Sequence, residues 1–172
     1  MMKQIINGQR KRSYIRKGKF ATVAVVLGLV ICILAGCGTD TAVSIDTGIL
    51  ADDLYSGVTW KDQLGEIELN KALSLYGISP DAVASGKVYM GTNATAEEIA
   101  VLEAASADQV TVIQEGMEAR VEAQLASFQS YNAQEVPKLE NPVLETKGNY
   151  VILCVCDDKA EAEKIINEST GK

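Results

Sequence analysis

The chain has 172 residues, with 16 lysines and arginines against 23 aspartates and glutamates, and no histidine. The missing histidine removes the commonest general base, the usual partner of a serine or cysteine nucleophile and the usual zinc ligand, and so argues against an enzyme. Seven basic residues precede residue 20, which leaves nine against 23, or −14, in the rest; such a surface repels nucleic acid and anionic headgroups and excludes both as partners.

Residues 1–19 carry Lys3, Arg10, Lys11, Arg12, Arg16, Lys17 and Lys19 and no acid. A basic cluster of this kind stays on the cytoplasmic side, so the chain behind it is directed outward. Phe20 to Gly36 is apolar apart from Thr22 and would reach about 25 Å as a helix, slightly short of a comfortable span. It closes in Leu34-Ala35-Gly36-Cys37, a leucine three positions before a cysteine with two small residues between. This tetrapeptide resembles the lipobox of bacterial lipoproteins. The resemblance implies a diacylglyceryl group on Cys37 and removal of residues 1–36 as a signal peptide, with a basic region 1–19 and an apolar core 20–36. Cys32 is the poorer candidate, because the bulky Ile31 precedes it. An uncleaved single-pass anchor is the alternative, and either way the remainder lies outside the membrane. At about 0.8 kcal/mol per buried methylene, one acyl chain holds marginally and two or three hold durably. The membrane is thus the first expected partner, through lipid at Cys37 on the extracytoplasmic face.

Residues 37–45 read as a short polar tether, and residues 46–172 as one exported domain. Asp46 or Thr47 caps a first helix with Ile49, Leu50 and Leu54 as its apolar residues, ending near Gly57. Trp60 to Ile67 has no clear period. Asn70 reads as the cap of a second short helix through Tyr76, stopped by Gly77 and Pro80. Val83 to Met90, with the turn Gly91-Thr92-Asn93, predicts a strand, and Glu98 to Ala104 a second. The stretch from Ala96 to Ala104 also has good helix propensity, but a longer helix begins too soon after it. Val110, Ile113, Met117, Val121, Leu125 and Phe128 recur at spacings of three and four and predict a core-facing helix from Ala107 or Asp108 to about Tyr131, about 36 Å long. Pro137 and Pro142 mark a loop. Val143–Lys147 and Tyr150–Cys156 flank Gly148-Asn149, a pair suited to a tight hairpin. A last helix, Lys159–Glu168, is capped by Asp157 or Asp158. The expected fold is α+β: a ββα unit used twice, one largely antiparallel four-stranded sheet with the helices on one face, preceded by one or two short helices.

Chemistry-bearing residues are few. Cys154 and Cys156, two apart on a strand, share a face with Tyr150 and Ile152. Two soft ligands without a second pair make a poor metal site, and a disulfide between them would distort the strand; two small buried hydrophobes is the better description. Asp52-Asp53 and Asp157-Asp158 are isolated pairs without the alternating ligands of a calcium loop. No metal or other cofactor is expected. Glu97, Glu98, Asp157 and Asp158 are the carboxylates an acid–base enzyme would use, though capping accounts for the aspartates and an exposed turn for the glutamates. Tyr55, Trp60, Tyr76 and Tyr89 are candidates for exposed aromatic anchors.

Leu75-Tyr76-Gly77-Ile78, Thr95-Ala96-Glu97-Glu98-Ile99-Ala100-Val101, and Gly148-Asn149-Tyr150-Val151 followed by Asp157-Asp158 resemble domain-of-unknown-function family 4358, whose members are typically lipoproteins of Gram-positive bacteria. The resemblance covers roughly residues 50–168 and implies an exported, membrane-tethered α+β domain, with no activity and no catalytic residue to carry over. The expectation is a lipid-anchored, non-enzymatic interaction or binding module with an unknown protein or wall partner. The alternative is a small surface enzyme using carboxylates on wall polymer or peptide.

Overall fold

The computed structural model describes residues 44–170. The signal peptide, Leu34, Ala35, Gly36, Cys37 and most of the tether lie outside the described residues. Helix α1 (Thr47–Gly57) starts where Asp46 accepts from the amides of Gly48 and Ile49, at 2.9 and 3.0 Å. A three-residue strand β1 (Gly65–Ile67) follows. Helix α2 (Leu69–Tyr76) is capped by Glu68, not Asn70; its carboxylate takes the amides of Asn70 and Lys71. Gly77 closes that helix at φ 69°, a left-handed position that costs other residues strain.

After a 3₁₀ turn at Pro80–Ala82 come β2 (Val83–Met90) and β3 (Glu98–Ala104). The helix propensity of Ala96–Ala104 loses to burial, because β3 is paired along both edges. Helix α3 (Gln109–Tyr131) buries Ile113, Met117, Val121 and Phe128. A short helix α4 (Val136–Glu140) stands where a loop was expected. Pro137 occupies its first turn, where the missing N–H costs nothing. Strands β4 (Val143–Lys147) and β5 (Tyr150–Val155) form the hairpin, with Gly148 at φ 59°, and helix α5 (Lys159–Ser169) starts at Asp158.

The sheet is antiparallel throughout but has five strands, ordered β1-β2-β3-β5-β4. The fifth is β1, too short to show an alternation. Helices cover both faces of the sheet, which corrects the expected one-sided packing. Alternate residues of β3 and β5 explain why: Ala100, Leu102, Val151 and Leu153 join α2 and α3 in one core, while Ile99, Val101, Ile152 and Cys154 join α1 and α5 in the other. With both parities apolar, either bare face would expose a hydrophobic surface. Ile49, assigned to the apolar side of α1, faces solvent, and Ala51 is buried in its place. Gly116 lets α3 approach the segment after α2. A Cβ there would stand 2.5 Å from Ile78 Cγ1 and 3.0 Å from the Tyr76 carbonyl oxygen.

Among the described residues, no helix is long and apolar enough to cross a membrane.

Candidate ligand groove

Glu97 and Glu98 are buried, not parts of an exposed turn. Side by side in sequence, they enter separate polar clusters. Glu97 accepts the backbone amides of Lys61 and Asp62 at 2.9–3.1 Å, and Lys138 Nζ reaches its Oε1 at 2.9 Å. Lys138 also donates to Glu135 at 2.8 Å, and Glu135 accepts from the Ala96 amide at 3.0 Å. Burial alone would lower the Lys138 pKa, but the hydrogen bonds to Glu135 and Glu97 outweigh it and raise it. Asp157 bridges this cluster to the surface, 2.8 Å from Lys61 Nζ and 3.7 Å from Lys138 Nζ. Partial burial pulls the Asp157 carboxyl up; the two lysines more than offset it and hold the group below its usual range.

Glu98 forms the second cluster. It receives the Tyr76 hydroxyl at 2.8 Å, Arg120 Nη2 at 3.1 Å and Gln124 Nε2 at 3.2 Å. Burial first, and the Glu98 charge second, push the Tyr76 hydroxyl pKa well up, so it stays a donor. With its amide nitrogen committed to a carboxylate, Gln124 leaves its buried Oε1 without a hydrogen-bond partner. A lone buried acceptor is uncommon.

Above this second cluster lies a groove of about 640 Å³, within the usual range of ligand sites. One wall is α2, with Lys71 and Leu75; the other is α3, from Arg120 to Tyr131; the β2–β3 turn closes one end. That turn is firmly held. Asp62 Oδ2 accepts from the Thr92 amide at 2.7 Å and from the hydroxyls of Thr92 and Thr95 at 2.6 and 3.2 Å. These bonds, led by the Thr92 hydroxyl, keep the Asp62 carboxyl below its ordinary range.

Residues 61–156 match the family described as a domain of unknown function, DUF4358. The chain belongs to this family. The match takes in all five strands and the whole groove but stops short of α1 and α5, which cover the second face. No curated protein and no solved structure matches the chain. The stretch Thr95–Val101, which carries the family resemblance, contains both glutamates and the amide that Glu135 receives.

The remaining candidates scatter. Tyr76 is in the core and lies under the groove; Tyr55 and Tyr89 stack 4.8 Å apart on the other side of the sheet, with Trp60 Nε1 donating to the Tyr55 carbonyl oxygen at 2.9 Å. Tyr89 also donates to Asp52 at 2.6 Å, and Asp52 pairs with Lys87 at 2.7 Å. Cys154 and Cys156 are free and buried together beside Ile152 and Tyr150. The neighbouring Cys156 and then burial hold the Cys154 thiol well above its ordinary range, which suits an inert core residue. Among the described residues no group of three histidines, cysteines or carboxylates is placed to hold a metal ion. Sequence reasoning missed Arg120, Gln124, Glu135 and Lys138. Arg120 and Gln124 sit on the shoulder of the α3 stripe, and Lys138 sits between two prolines, so composition gave no reason to pair them with buried carboxylates.

Proposed function

We propose that the chain is a lipoprotein anchored through Cys37 to the outer face of the cell membrane, where its domain acts as a non-enzymatic binding module with the α2–α3 groove as its contact site. The placement rests on the basic and apolar leader ending in Leu34-Ala35-Gly36-Cys37. The observation that carries the binding reading is how the polar groups beneath the groove are used. Glu97 and Glu98 are both taken up by internal amides and cations, so they support the walls of the groove and neither is open to a substrate there. The groove meanwhile exposes Leu75 at 48% and Tyr131 at 69%, apolar surface of the kind that marks contact sites.

Two measurements test this. Labelled palmitate should enter the wild-type protein and not Cys37→Ala; incorporation into the variant sinks the anchor assignment. Ala123 is exposed on α3 and lines the groove, so Ala123→Trp fills it without touching the core. Wild type purified from detergent-solubilised membranes should carry a partner or ligand that Ala123→Trp lacks. Identical co-purifying species would remove the groove from the interface.

A further inference from the structure

We draw no further inference here: the strongest candidate, the part-exposed aromatic cluster of Tyr55, Trp60 and Tyr89 where α1 meets β2, carries nothing, because its polar neighbours Asp52 and Lys87 are already paired with each other and nothing in the structure shows what covers it.

Discussion

Replacing Lys138 with methionine keeps an unbranched apolar stem, one atom shorter, and deletes one buried ammonium. In the wild type that ammonium lies 2.9 Å from Glu97 and 2.8 Å from Glu135. The variant leaves two carboxylates facing each other out of water, and removing one partner of a buried ion pair costs about 3–5 kcal/mol. A domain of this size holds only about 5–15 kcal/mol in total. At roughly 3–5 °C per kcal/mol, the melting temperature should fall by about 10–20 °C. The pH dependence has a definite sign. Lys138 is raised above its ordinary 10.5 in the folded state, so its contribution is fully present below that value and is lost as pH climbs through the folded pKa. The difference between wild-type and variant melting curves should therefore be flat through neutral pH and shrink in strong base. Lys138→Met combined with Glu97→Gln and Glu135→Gln should recover much of the loss, since the amide oxygens still accept the Lys61, Asp62 and Ala96 amides while the repulsion is gone. Thermal denaturation followed by circular dichroism reads all of this. A single variant melting within about 2 °C of wild type would mean that the buried ions contribute almost nothing, and the account of this cluster would be wrong.

Further outcomes are equally direct. Met117→Asp places an unpaired carboxylate on a fully buried position of α3 and should cost several kcal/mol, enough to abolish the cooperative melt; normal melting would contradict the packing of that face. Gly116→Ala should destabilise by about 1–3 kcal/mol through collision with Ile78, and Ile78→Ala in the same chain should relieve part of it, as a double-mutant cycle in urea would show. Gly77→Ala should cost about 1 kcal/mol from the left-handed backbone alone, because its Cβ would meet no atom within 4 Å. Ellman's reagent should react with Cys154 and Cys156 only after denaturant is added; rapid reaction of the native domain would show that the thiols are not core residues.

Elements set by local chemistry were legible in the sequence. Gly77 and Pro80 stop α2, Gly148 turns the hairpin, Asp46 and Asp158 cap their helices, and the α3 stripe follows its period. What escaped depends on distant partners. Strand β1 exists because Gly65–Ile67 meets Val88–Met90, and three residues carry no pattern of their own. The covering of both sheet faces was recorded in β3 and β5, whose apolar residues run through both parities, but it becomes visible only once their pairing is known. Glu97 and Glu98 look like surface residues because acids generally are. Their burial is made tolerable by Lys138 and Arg120, which arrive from elements made later in the chain. The family motif around them pointed to a place worth attention without saying that it lay inside.

The strand order has a consequence for how the domain comes into being. β3 finds one neighbour, β2, immediately, but the other, β5, only after α3 and α4 have been synthesised. Until then one side of a hydrophobic seven-residue strand is open to any extended chain that passes, a known route to aggregation. Products ending before Tyr150 should therefore be aggregation-prone and quickly degraded, and a holding chaperone would matter most while residues 105–155 are being made.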